Sequence, residues 1–292
     1  MAPTIDVAFI EEYNADVHML FRQMGSRLMN MTRKGRVMAK RVYFQKFGLL
    51  TAQTKTRNAI HTMQDPAHTQ VFADMADWYV PTLIDDLDLL KLNIDEKNAH
   101  VRAHVAALGK KTDEIIRDTI EAGAGQDLGD ATAAFGYGHA MRVVNEFTVN
   151  EVPDDGERYC ALHPYAWSQL LTVNAFANAD YIGPANLPYA GGMQMKEWMG
   201  VKWFPLPNIY LEAGVTGTSP AGTSTVQNQA VNLAWHRSIV GHGVNSEIDT
   251  KWDWENLYSA WSCVSAMSLG ATIIEDTGAF LVSSLSPQPT IA

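Results

Sequence analysis

An α+β architecture is expected, with an N-terminal arm, a long β-hairpin, one long helix, a central α/β region and a closing segment of buried helix and terminal hairpin. Three observations lead there. Residues 93–123, NIDEKNAHVRAHVAALGKKTDEIIRDTIEAG, carry a helix start signal, a stop signal and one apolar stripe. Two β-rich runs, Val37–Phe47 and Val71–Leu83, flank a long polar stretch. Charge also inverts along that hairpin: ten Lys and Arg and no acid lie between Arg22 and Arg57, then Asp65, Asp74, Asp77, Asp85, Asp86 and Asp88 follow with no Lys or Arg among them.

Taken in order, residues 5–31 place Val7, Ile10, Tyr13, Val17, Leu20, Phe21, Met24 and Leu28 on one side of a helix, and the following Gly35 and basic run mark it as an arm. The two β-rich runs enclose LLTAQTKTRNAIHTMQDPAHTQ, so a protruding hairpin is predicted. An isolated hairpin of that length has little stability of its own and needs a surface to lie on, either within its domain or on a neighbouring copy.

The long helix opens at Asn93, which can cap the first-turn N–H groups while Glu96 reaches back, and closes at Gly123. Val101, Val105, Leu108, Ile115, Ile116 and Ile120 form its stripe, while Arg102, Lys110, Lys111, Asp113, Glu114, Arg117 and Asp118 form a polar face. At 1.5 Å per residue it spans roughly 45 Å.

Beyond it, 122–140 reads as a flexible Gly- and Ala-rich connection. Arg158–Leu162 is a strand running into a helix with Pro164 in its first turn, GGMQMKEWM is helix-like, and Val201–Pro205 is a strand. Residues 211–229 read as an exposed loop and Val231–Ile239 as a buried strand. Val244–Trp254 alternates polar and aromatic residues, Leu257–Leu269 reads as a buried helix ended by Gly270, and Ala271–Ile274 with Ala279–Ser283 flank an EDTG turn.

Composition narrows the function classes. The chain has 292 residues, 47% hydrophobic and 18% charged, with a formal charge of −10. It holds no apolar run of membrane-spanning length and no basic-then-apolar leader, so no membrane association is expected. Cys160 and Cys263 sit in apolar company and read as reduced core thiols. A basic stretch followed at once by an acidic one suits charge pairing between copies better than nucleic-acid binding, since no binding module accompanies it.

Signals for chemistry are sparse. His100 and His104 have one-turn ligand spacing without a third ligand, and Cys160 with His163 is half a ligand set. GAGQDLG misses the dinucleotide spacing and follows a helix where a strand is required. His236 and His242 flank a turn, and Asp85 with Asp86 reads as a solvated pair. No catalytic residue, cofactor-binding residue or metal ligand is assigned, and the protein is not expected to be an enzyme. The residues singled out are a subunit-interface set: Arg33, Lys34, Arg36, Lys40, Arg41, Lys46, Lys55, Arg57, Asp74 and Asp77.

The order of parts resembles the major capsid proteins of tailed bacteriophages, the Hong Kong 97 fold, shared with encapsulin shells. DLDLLKLNIDEKNAHVRAHVAALGKKTDEIIRDTIEAGAG (86–125) is similar to the exit of the extended loop and the spine helix. HRSIVGHGVNSEIDTKWDWENLYSAWSCVSAMSLGATIIEDTGAFLVSSL (236–285) is similar to the closing part of that fold, and DVAFIEEYNADVHMLFRQMGSRLMN to the arm. The resemblance implies an N-terminal arm at 1–34 and an extended E-loop at 35–84. It further implies a P-domain at 85–137 and 250–292, with the spine helix at 93–123, and an A-domain at 138–249. It also implies self-assembly as hexamers and pentamers into an icosahedral head, put together in the host cytoplasm, that encloses double-stranded DNA without sequence-specific binding. A portal, a decoration protein and a separate scaffolding protein are the partners it suggests; the chain begins almost at the arm, which points to a separate scaffold or none. An encapsulin-like compartment and a soluble α/β enzyme are the alternatives.

Overall fold

The computed structural model describes residues 25–85, 96–178, 195–209, 211–218 and 224–285. A 3-10 turn, Met29–Met31, leads to β1 (Arg33–Lys34), β2 (Val37–Met38), β3 (Arg41–Phe47), β4 (His68–Asp74), β5 (Ala76–Asp85) and α1 (Glu96–Gly123). Next come β6 (Gln126–Asp127), β7 (Asp130–Ala134), α2 (Tyr137–Val149), β8 (Arg158–Leu162), α3 (Pro164–Leu170) and α4 (Asn174–Ala177). The chain continues through β9 (Lys196–Trp198), β10 (Val201–Pro205), β11 (Leu211–Thr218), β12 (Ser224–His236), β13 (Val240–Glu255), β14 (Ala260–Ile273) and β15 (Ala279–Leu285).

Three sheets result. A long four-stranded sheet runs β1-β13-β14-β5, and a larger sheet runs β6-β15-β12-β8-β10-β9, with β11 added to β12 and β7 to β15. A small sheet, β2-β3-β4, makes the hairpin. The inner strands β8, β10 and β15 of the larger sheet are largely buried on both faces, which explains their apolar runs. Along β8, Cys160 and Leu162 join Phe135, Phe147, Trp167 and Trp203 on one side. Tyr159 and Ala161 join Trp235, Phe204, Ile116 and Ile120 on the other, so α1 covers one face and α2 with α3 the opposite one.

The arm prediction falls largely on residues 1–24 and the Asn93 cap on 86–95, both outside the described residues. Within them α1 ends at Gly123 and buries Leu108, Ile116 and Ile120 as expected, but two members of its anticipated polar face are buried as well, Asp113 at 7% exposure and Arg117 at 8%. Asp113 accepts hydrogen bonds from Ser26 Oγ at 2.5 Å and from the N–H groups of Arg27 and Leu28, each at 3.0 Å. Arg117 donates to the Asn208 carbonyl and to Asp118. Gly109 lets the backbone of Gly25 cross α1 at this point, since a Cβ there would lie 2.8 Å from the Gly25 carbonyl carbon.

Five assignments are corrected. Leu257–Leu269 is not a helix: Ala260 onward is β14, apolar on both sides because it is a central strand between β13 and β5 with α1 packed across it. Within 211–229, residues 211–218 and 224–229 are not loop but belong to β11 and β12, which pair antiparallel with a register shift between Glu212 and Val215. The described end of GGMQMKEWM is β9, which turns into β10 through Met199 (φ 52°) and Gly200 (φ 73°), the consecutive positive φ values of a tight hairpin turn. The connection 122–140 holds β6, β7 and the start of α2; β6 and β7 pair with β15, and a Cβ at Gly129 would lie 2.1 Å from the Ser283 backbone. EDTG is not a hairpin turn but a 3-10 crossover, Asp276–Gly278, that carries the chain from the four-stranded sheet to the larger one.

Candidate functional site

The hairpin carrying most of the interface set is packed at its root. Val42, Phe44 and Ala73 are buried there beside Val37, Met75 and Ile274. A Cβ at Gly35 or Gly241 would lie within 2.4–2.6 Å of the Val42 or Phe44 side chains, and one at Gly243 would lie 2.8 Å from Val42. Three glycines therefore make a shelf on the four-stranded sheet into which Val42 and Phe44 press. Beyond Phe47 the side chains face solvent: Leu49 is 101% exposed, Ile60 94% and Met63 89%. Gln64 brackets the hairpin end, its Oε1 accepting from Thr51 N–H at 3.2 Å and its Nε2 donating to the Thr51 carbonyl at 3.0 Å.

The predicted basic residues separate into two groups. Arg33, Lys34 and Arg36 line one open cleft of about 660 Å³ together with Met38, Tyr43 and Phe47. Arg33 stands over the Phe44 ring, 5.9 Å from its centroid. Among the described residues none of these three forms an ion pair. The second group is engaged within the chain. Arg41 meets Asp74 across β3–β4 at 2.5 Å and lies 4.2 Å from the Phe72 centroid, and the Asp74 carboxylate raises its pKa. Lys46 pairs with Glu275 at 3.1 Å. Lys55 borders a smaller cleft at the hairpin end, Arg57 is exposed nearby, and Asp77 lies apart on β5, opposite Ser268. Lys40 is exposed in the β2–β3 turn.

One surface was missed. At the far end of the β13–β14 hairpin Leu257 is 92% exposed, Tyr258 66% and Trp254 40%, beside the exposed acids Asp253 and Glu255, with Glu247 and Asp249 exposed further back along β13. Reading this stretch as the start of a helix concealed it; the alternation Trp252, Trp254 before Asn256 was the available signal of a strand entering a turn. Trp254 is held edge-on to Trp261 at 5.3 Å and donates to Asn256 Oδ1 at 2.8 Å.

The histidines have structural placements. His104 is buried under α1, with Nε2 3.1 Å from Thr82 Oγ1 on β5 and Nδ1 3.0 Å from Ser265 Oγ on β14; Ser265 in turn contacts Thr250 Oγ1 of β13 at 2.7 Å. Burial, with the neighbouring His100 second, lowers its pKa. His163 caps α3 by accepting from Tyr165 N–H, and burial raises the pKa of the Cys160 thiol in the preceding strand. His242 lies against Thr32 Oγ1 at 2.8 Å, and burial, with Lys34 second, brings it down to about 4. His236 sits between Asp155 Oδ1 (3.0 Å) and Ser238 Oγ (2.7 Å), a contact order that resembles a hydrolytic triad, yet neither cleft reaches it. Among the described residues no group of three His, Cys, Asp or Glu is placed to hold a metal ion.

The sequence model of the phage capsid protein family matches residues 5–283. No curated protein matches. Among solved structures the chain is similar to the capsid of cyanophage P-SCSP1u at 16% identity, with a TM-score of 0.71 over 93% of this chain and 91% of that one. It is similar to the cyanophage Pam1 capsid at 12% identity, TM-score 0.72, over 94% and 96%. A chain of Mycobacterium phage Che8 gives 15% identity and a TM-score of 0.69 over 91% and 94%. At these identities the likeness shows the fold, which is of the Hong Kong 97 type.

Proposed function

The chain belongs to the phage capsid protein family and is a major capsid protein of the head shell, and from that premise we propose that it assembles as hexamers and pentamers into an icosahedral head around double-stranded DNA. The carrying observation is the hairpin, packed against its own chain at the root and exposing apolar side chains beyond it. Residues 49–63 present Leu49, Leu50, Ile60 and Met63 to solvent, an apolar set that a free monomer gains nothing by exposing and that a neighbouring copy can cover. In this reading residues 1–34 are the arm and 35–84 the E-loop. Residues 85–137 with 250–292 are the P-domain around α1, and 138–249 are the A-domain, with β15 lending its strand to the A-domain's sheet. Many weak contacts per subunit sum to a stable shell through ring closure.

The formal charge of −10 supports a wall that confines DNA without binding it, since each Lys or Arg on a phosphate would add an affinity that must be broken on exit. Assembly in the host cytoplasm, a separate scaffolding protein, a portal and a decoration protein complete the proposal. The test is negative-stain microscopy of the purified chain at rising concentration, alone and with a candidate scaffold. Rings or closed shells are expected; a chain that stays monomeric under all of these conditions overturns the reading.

A further inference from the structure

We infer that the cleft of Arg33, Lys34 and Arg36 is a socket for the end of the β13–β14 hairpin of a second copy of this chain. The inference rests on the shell reading and names one contact within it. The socket carries three cations and no acid among its lining residues, with Met38, Tyr43 and Phe47 as apolar walls. The hairpin end carries Asp253 and Glu255, with Asp249 and the single cation Lys251 further back on β13, and Trp254, Leu257 and Tyr258 as its apolar part. The two surfaces are therefore opposite in charge, and each presents apolar side chains that the other can cover. The tip is also braced in advance by the Trp254–Trp261 contact and the Trp254–Asn256 hydrogen bond, so docking orders little.

Geometry excludes an intramolecular version. β1, which brings Arg33 and Lys34, pairs with β13 at Gly241 and His242, whereas the tip begins at Glu255. Fourteen residues of strand separate them, about 45 Å at roughly 3.3 Å per residue. Socket and plug thus stand at opposite ends of one sheet, and a contact between them joins two copies. Where each copy seats its plug in a different neighbour the contact is heterologous and generates a ring if its rotation closes.

Charge exchange with light-scattering assembly kinetics tests this. Arg33→Glu with Arg36→Glu, leaving Lys34 beside His242 untouched, is expected to slow assembly by about tenfold or more, as is Asp253→Lys with Glu255→Lys. Combining all four substitutions is expected to restore the rate, with circular dichroism verifying the fold of each. If the charge-reversed socket fails to fold, Arg33→Gln with Arg36→Gln replaces it, with a smaller loss expected. An Arg36→Cys, Glu255→Cys pair should then give disulfide-linked oligomers, not cyclised monomers. Wild-type rates in either reversal, or no recovery in the combination, overturn the socket while leaving the shell reading intact; a wild-type chain that never assembles overturns the shell reading itself. If the socket reversal instead abolishes binding of a fluorescent DNA oligonucleotide without slowing assembly, the cleft serves nucleic acid and the inference fails.

Discussion

Asp113 shows how much of this molecule hangs on single side chains. It lies on α1, but its carboxylate gathers Ser26 and the N–H groups of Arg27 and Leu28, donors that open the 3-10 turn at Met29–Met31. Hydrogen bonds to a charged acceptor are each worth about 1.5–3 kcal/mol, and removing the acceptor strands buried donors. Asp113→Ala is therefore expected to cost about 2–4 kcal/mol in denaturant unfolding and to open the chain near Ser26 to protease. Unchanged stability and cleavage would show the clamp to be idle. Nothing in the sequence revealed it: on the helical wheel Asp113 falls beside Lys110 and Arg117 and reads as solvated, because periodicity records a residue's own element and not the strand or turn crossing it.

At the scale of elements the hairpin root decides the most. Phe44 fills the shelf made by Gly35 and Gly241, and Phe44→Ala is expected to cost about 3–4 kcal/mol. The loss should be local, with hydrogen exchange accelerating across β2, β3 and β4 and not in the larger sheet; uniform acceleration would mean that hairpin and body unfold as one unit. The hairpin was legible in part, because Val37–Phe47 and Val71–Leu83 are β-rich, but the first run breaks into β2 and β3 and the second into β4 and β5, of which β5 belongs to the four-stranded sheet; α1 was legible through its six-residue stripe. β14 was not. Its residues Ala260, Cys263, Ser265 and Ser268 are small and lack β-branching, and the apolar character on both faces that marks a central strand also marks a buried helix. The β11–β12 hairpin was hidden for a different reason: Gly, Ser and Thr signal loops unless a partner strand in register fixes them, and that partner is known only from the fold.

For the molecule as a whole, acid is the expected weakness. Burial lowers the pKa of His104, His139, His163 and His242, the last to about 4 from 6.5. The fold holds these rings neutral, and the unfolded chain takes up their protons more readily, so their contribution is complete above about pH 6.5 and declines as pH falls toward 4. Melting temperature is accordingly expected to fall across that interval. His242→Gln, which keeps a partner for Thr32 but cannot titrate, should flatten the slope; an unaltered slope would place the sensitivity elsewhere.

The two main sheets are also interleaved along the chain. The four-stranded sheet draws on 33–34, 76–85 and 240–273, and the larger one waits for 279–285, which enters between β6 and β12. A nascent polypeptide emerging from the ribosome can finish neither sheet until the stretch from Val240 onward has appeared. A half-made subunit thus has its β2-β3-β4 hairpin before it has the seat, since Gly241 and Gly243, against which Phe44 and Val42 press, are synthesised long after the hairpin they hold.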